Sequence, residues 1–196
     1  MKNKYSVCLL LAVILAALTS GCYSVNRTVS VTPGALPQTD DVRQGVMGIK
    51  FLDKRADKSK VGYMGGRVLI GNPNLVVVGD LETRLAHIFK KTLEQAGYTV
   101  LPGAQPTLEG EIREFWVRGD GWSQGATEKI RLSLRDKEGQ ILWQQTFKGE
   151  DGGIDMAASF GEKSMNVALT RLLTDAMEEF TSESFYQAVR KATGGK

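Results

Sequence analysis

Ile130-Arg131-Leu132-Ser133-Leu134-Arg135-Asp136-Lys137-Glu138-Gly139-Gln140-Ile141-Leu142-Trp143-Gln144-Gln145-Thr146-Phe147 is the stretch on which the fold turns. Ile130, Leu132 and Leu134 alternate with Arg131, Ser133 and Arg135, the period of a strand with one face on a core and the other in water. The turn Lys137-Glu138-Gly139-Gln140 leads into Ile141, Trp143, Gln145 and Phe147. The two runs predict a β-hairpin in which Gly139 supplies a positive φ. Upstream, Leu108, Gly110 and Ile112 alternate with Glu109, Glu111 and Arg113. The apolar phase then flips to Phe115 and Val117, which predicts a bulge or strong twist near Glu114. Glu109 and Glu111 fall on the wet face, where Arg131 and Arg135 of a neighbouring strand offset them, a structural role.

Helical spacing flanks this sheet. Asp80 is placed to cap a helix whose stripe is Leu81, Leu85, Ile88, Phe89, Thr92 and Ala96, and Gly97 stops it. Tyr98 to Leu101 reads as a short strand ended by Pro102-Gly103. Met165, Leu169, Leu172, Leu173, Ala176, Met177 and Phe180 form a second stripe, with Phe185 and Val189 as its continuation past Thr181-Ser182. Toward the N-terminus, Val46 to Leu52 reads as a strand. Arg67 to Ile70 and Leu75 to Val78 are two further β-branched runs about the turn signal Gly71-Asn72-Pro73-Asn74. The order predicts an α+β domain: a largely antiparallel twisted sheet with two α-helices packed on one face.

The first residues have a different character. Lys2 and Lys4 precede a run from Val7 to Leu18 whose only non-aliphatic member is Cys8, and Thr19, Ser20, Gly21 and Cys22 follow. A positive start, a short apolar run and small residues before the cut make residues 1–21 a signal peptide. The run is shorter than the roughly 20 residues that a membrane-spanning helix needs. Leu18-Thr19-Ser20-Gly21-Cys22 resembles the lipobox of bacterial lipoprotein precursors, with Thr19 where that motif usually has Leu. The resemblance implies that Cys22 is lipidated. Each buried methylene contributes about 0.8 kcal/mol of membrane affinity, and more than one chain holds firmly. Tyr23 after the cysteine, where enterobacterial sorting places Asp for inner-membrane retention, implies the outer membrane with the domain facing the periplasm. Residues 22–44, rich in Ser, Thr, Asn, Pro and Asp, read as a lipidated N-terminus and flexible tether. Residues 45–192 form a single periplasmic domain.

Composition narrows the chemistry. Cys8 leaves with the signal and Cys22 is consumed, so no thiol remains for a disulfide or a metal. Loss of Lys2 and Lys4 from 25 basic residues leaves 23 against 22 acidic ones. That balance lacks the clustered basic face that nucleic acid requires, so no nucleic-acid partner is expected. Packing alone must hold the mature domain together, and no cofactor is expected.

Few residues carry candidate chemistry. His87 is the only histidine and points away from the Leu85/Phe89 stripe, so metal ligation or a Ser-His-Asp arrangement has little to build on. Gly119, Gly121 and Gly125 lie between strands with no helix after them, which excludes a phosphate loop. Trp122, inside that glycine-rich loop, is either folded back on the core or exposed as an anchor for a partner. Asp53-Lys54-Arg55-Ala56-Asp57-Lys58-Ser59-Lys60 forms a charged loop. It reads either as a contact for an anionic headgroup or glycan, or as a solvated loop with Asp53 and Arg55 paired locally. Gly62, Gly65 and Gly66 extend it. Trp122, Asp53 and Arg55 are therefore the possible interaction residues.

Asp80-Leu81-Glu82-Thr83-Arg84-Leu85, continuing through Leu93-Glu94-Gln95-Ala96-Gly97-Tyr98-Thr99-Val100, resembles the first helix and following strand of YajG-like bacterial lipoproteins. Thr170-Arg171-Leu172-Leu173-Thr174-Asp175-Ala176-Met177, with Phe185 downstream, is similar to their C-terminal helix. That family has no assigned activity, so only Cys22 is carried over, as the lipid attachment site. The resemblance implies a non-enzymatic outer-membrane lipoprotein, held in the bilayer by acylated Cys22 and binding an envelope protein or another envelope component. The alternative is an accessory lipoprotein of a lipid-transport or cell-wall pathway with an apolar ligand between sheet and helices.

Overall fold

Period-two patterning between residues 107 and 153 becomes three long strands in the computed structural model, which describes residues 26–64, 74–77, 79–119, 124–153 and 162–194. The strands are β1 (Asn26–Val29), β2 (Gly45–Asp53), β3 (Gly62–Met64), β4 (Asn74–Val77), β5 (Tyr98–Val100), β6 (Thr107–Gly119), β7 (Gln124–Arg135) and β8 (Ile141–Gly153). The helices are α1 (Leu81–Gln95), α2 (Glu162–Thr181) and α3 (Glu183–Ala192). β7 and β8 form the expected hairpin, with Gly139 at φ 82° and its N–H donating to the Asp136 carbonyl at 3.1 Å. β6 lies antiparallel to β7, and its register shifts between Ile112 and Glu114. Arg113 is the extra residue, and both Ile112 and Phe115 reach the core because of it.

The α+β class holds, but two of its details need correction. The sheet is mixed rather than largely antiparallel: four of seven strand pairings among the described residues are parallel, namely β1–β4, β2–β5, β2–β6 and β3–β6. β2 reaches β5 by way of α1, a crossover that returns the chain in its original direction. β6 pairs with β2 along its first half and with β3 over its last three residues, so the sheet curls instead of forming one twisted plane. The second detail is the number of helices, which is three among the described residues. Ser182 interrupts the C-terminal stripe and its hydroxyl accepts the Phe185 N–H at 3.2 Å, starting α3 as a separate helix. The run Arg67–Ile70 lies outside the described residues, and the strand before β4 is β3.

The helices share one apolar layer with the sheet. Phe89, Phe180 and Phe185 form its centre, with ring centroids 6.5 Å apart for Phe89–Phe180 and 5.1 Å for Phe180–Phe185. The Tyr98 hydroxyl is buried beside them and donates to the Phe180 carbonyl at 2.9 Å. α2 approaches β8 so closely that a Cβ on Gly149 would lie 2.1 Å from the Ala168 carbonyl oxygen, so only glycine fits there. No helix among the described residues is long and apolar enough to cross a membrane.

α1 starts as its sequence requires. The Asp80 carboxylate accepts the Thr83 N–H at 2.8 Å and the Thr83 hydroxyl at 2.6 Å, and these bonds hold the Asp80 carboxyl below the ordinary carboxylate range. Asp80→Ala is expected to lower stability by about 1 kcal/mol. Because the folded value is depressed, that contribution is present above the usual aspartate range and fades as pH falls through it. Urea midpoints of both proteins at neutral and acid pH test this, and they should converge in acid.

From Asn26 onward, the segment expected to be tether is docked on the domain. β1 pairs with β4, and Val29 and Val31 are only 2% and 3% exposed. The N–H groups of Ser30, Thr32 and Gly34 then donate to Glu162 Oε1 (3.3 Å), Asn166 Oδ1 (3.0 Å) and Thr170 Oγ1 (3.0 Å). Two residues of extended chain advance about 6.6 Å and four residues of helix about 6 Å, so alternate amides meet every fourth side chain of α2. Arg43 fastens the other end. Its Nε donates to the Thr181 carbonyl at 3.0 Å, and its backbone N–H donates to the Ala96 carbonyl at 2.8 Å.

Candidate interaction cleft

Asp53 ends β2, and Arg55 curls back onto it. Arg55 Nε donates to Asp53 Oδ1 at 3.0 Å and Nη2 to Oδ2 at 2.7 Å, while Nη1 donates to the Lys60 carbonyl at 2.9 Å. A weaker bond from Nη1 reaches the Phe115 carbonyl at 3.4 Å. The local pairing is as expected, and Lys54 and residues 56–59 are exposed, but the pair itself is buried, its side chains only 6% and 9% exposed. A guanidinium that satisfies a carboxylate and carbonyls of its own loop can be buried without leaving donors orphaned. Burial works to raise the Asp53 carboxyl, but the Arg55 hydrogen bonds and charge outweigh it and hold the group below its ordinary range. The Asp53–Arg55 pair thus fixes the loop, and Arg55 lines the site beside it.

That loop faces the outer surface of β6. Beyond the bulge at Arg113, Trp116 and Arg118 turn outward while Phe115 and Val117 turn in. Arg55, Asp57, Arg113, Trp116, Arg118 and Thr127 line a cleft of about 690 Å³. The Lys60 ammonium lies 5.8 Å from the Trp116 ring centroid, and Tyr63 meets the same ring edge-on at 6.2 Å. Below the cleft, the outer face is ordered by shared charges. Glu109 accepts Lys50 at 2.8 Å and approaches Arg135 to 3.7 Å, and Glu111 accepts both Arg113 and Arg131. Burial tends to raise the Glu111 carboxyl, yet the bonds from Arg131 and Arg113 hold it low. These pairs match the offset expected from the alternation of the strands. Arg118 is exposed and has no ion-pair partner among the described residues.

The cleft offers an aromatic face, a cation above it and guanidinium groups at its rim. Such groups recognise planar or anionic surfaces by stacking and bidentate hydrogen bonding. Among the described residues its lining holds no His, Cys or Ser. His87 is exposed on α1, and no group of three His, Cys, Asp or Glu converges among the described residues. Cys22 and Trp122 lie outside the described residues, as does the Gly62–Gly71 loop beyond Met64. Lys60 belongs to the charged loop expected from the sequence, whereas Trp116 and Arg118 were not singled out from it. The phase flip at Glu114 was the available signal, because a core-facing Phe115 obliges Trp116 to face outward.

On the opposite face of the sheet, Glu128 of β7 points into the core. It sits between Phe115 of β6 and Gly149 of β8, is fully buried, and neither carboxylate oxygen has a hydrogen-bond partner among the described residues. Burial pushes its carboxyl well above the ordinary glutamate range.

No family model matches the chain, and no curated protein does. Among solved structures, the chain is similar to protein XCC0632 from Xanthomonas campestris, described under family DUF330, with a TM-score of 0.62 and 12% identity over 82% of this chain and 98% of that one. The crystal structure of an uncharacterized protein aligns at 20% identity over 83% of this chain and 97% of that one, with a TM-score of 0.38. At 12% identity the first likeness extends to architecture alone: the chain has a fold similar to that of XCC0632.

Proposed function

We propose that the chain is an outer-membrane lipoprotein of the YajG-like kind. Residues 1–21 are removed, Cys22 is acylated, and a non-catalytic periplasmic domain binds a protein or another envelope component. The observation that carries the binding role is the cleft around Trp116, whose Lys60 and Arg118 surround an aromatic face with recognition chemistry. The layer between sheet and helices supports this reading over an apolar ligand. Leu85, Phe89, Ile130, Leu169 and Leu172 have no exposed surface, and the 690 Å³ cleft lies outside that layer with a charged rim.

A photo-crosslinking residue at Thr127, in the full chain in its native envelope, tests the proposal. The expected result is an acylated Cys22 peptide by mass spectrometry and one dominant adduct. Its yield should fall about tenfold with Trp116→Ala, equivalent to about 1.4 kcal/mol of contact. An adduct indifferent to Trp116→Ala would remove the cleft from the function, and an unmodified Cys22 would overturn the anchor.

A further inference from the structure

The register of the sheet brings six strand ends into one row. Asn26 pairs with Asn74, Asn74 with Tyr63, Tyr63 with Arg118, Arg118 with Gly125, and Gly125 with Gly152. At about 4.8 Å between neighbouring strands, the row is roughly 24 Å long. α2 begins at the same end, because Glu162 accepts the Ser30 N–H. Only Tyr23, Ser24 and Val25 separate Asn26 from Cys22. Those four residue steps span at most roughly 14 Å in any conformation. No slack can be drawn from beyond Asn26 while β1 is paired and Ser30, Thr32 and Gly34 are fastened along α2.

We propose that the anchored domain stands end-on on the bilayer, with the Asn26–Gly152 row against the phospholipid headgroups. This inference rests on the acylation of Cys22 proposed above. Arg118 lies in the row, exposed and without an ion-pair partner among the described residues, and a guanidinium is a bidentate partner for phosphate. Tyr63 and Trp116 flank it, the residue types that favour a polar–apolar boundary. Among the described residues, the exposed apolar side chains of Val46, Leu101 and Ile141 lie at the other end of the strands, and the exposed Arg118 at this end suits headgroups. The strand rise of about 3.3 Å per residue along β7 puts the Glu138 turn roughly 40 Å farther from the membrane.

The test uses the full acylated protein in vesicles of phosphatidylethanolamine and phosphatidylglycerol, spin-labelled at Gly152→Cys or at Glu138→Cys. A Cβ at Gly152 meets nothing within 4 Å, so that label should not disturb the fold. The Gly152 label is expected to lose most of its accessibility to an aqueous relaxation agent on reconstitution, while the Glu138 label keeps its own. Arg118→Glu should restore part of the loss. Equal aqueous accessibility of both labels, with Cys22 acylation confirmed by mass spectrometry, would overturn the end-on arrangement and leave the anchor intact. A loss at Gly152 indifferent both to Arg118→Glu and to omission of phosphatidylglycerol would overturn the headgroup contact. Absence of acylation would instead defeat the reading on which the inference rests.

Discussion

Arg55→Ala is expected to destabilise the folded domain by about 3–5 kcal/mol, one of the two largest effects foreseen for a single substitution outside the aromatic core. The cost arises from what remains. Asp53 would keep its place at the end of β2, where its backbone N–H donates to Glu82 at 2.6 Å, but its carboxylate would lose its Arg55 partner in a buried position. The carbonyls of Lys60 and Phe115 would lose a donor as well. For a domain of this size the loss corresponds to a fall in Tm of roughly 10 °C. The double variant Asp53→Ala/Arg55→Ala should recover part of it, since no unpaired charge is then left inside. Thermal unfolding of both variants decides the matter. A single-variant loss below about 1 kcal/mol would mean that the pair behaves as a surface pair.

Glu128→Met should act in the opposite direction and stabilise the domain by about 1–3 kcal/mol near neutral pH. The carboxyl occupies a core position on β7 between Phe115 and Gly149 with no hydrogen-bond partner among the described residues, so an apolar side chain of similar length removes a desolvation cost without opening a cavity. The sign of the pH dependence follows from the raised folded pKa. The folded state holds the proton more tightly than the unfolded chain, so wild-type stability declines as pH rises above the ordinary value of 4.5. In Glu128→Met this decline should be absent, and the advantage of the variant should shrink in acid. Denaturant unfolding across pH measures both. A variant less stable than wild type at every pH would show that the carboxyl is satisfied in solution.

The long strands and the helices were legible because their periodicities run for many residues. Ile130 to Leu134 and Leu81 to Leu93 each repeat their pattern often enough to exclude the other period. Which strands adjoin was not legible, since alternation along β2 and β6 is the same whether the two run parallel or antiparallel. Residues 26–34 were hidden by composition. Val29 and Val31 carry a period-two signal, but Ser30, Thr32 and Pro33 around them resemble a linker. The hydrogen bonds that seat them come from Glu162, Asn166 and Thr170, more than 130 residues away. At the cleft, pairing of Asp53 with Arg55 was legible from their spacing, and its burial was not. Burial depends on Lys60 and Phe115 supplying carbonyl acceptors from elsewhere in the chain. Glu128 was disguised by its neighbours Thr127 and Lys129, which lie on the outer face of the strand.

The bonds that seat residues 30–34 and 43 on α2 also impose an order of assembly. They close over separations of 132 to 138 residues, so the segment made first is the one secured last. Loops of that length close slowly compared with the local β7–β8 hairpin or the turns of α1. The amino-terminal stretch therefore stays unsecured until α2 has been made and has folded. If Cys22 is acylated as proposed, the acylating enzymes meet a loose chain, and the leash to the membrane shortens only when the last helices arrive.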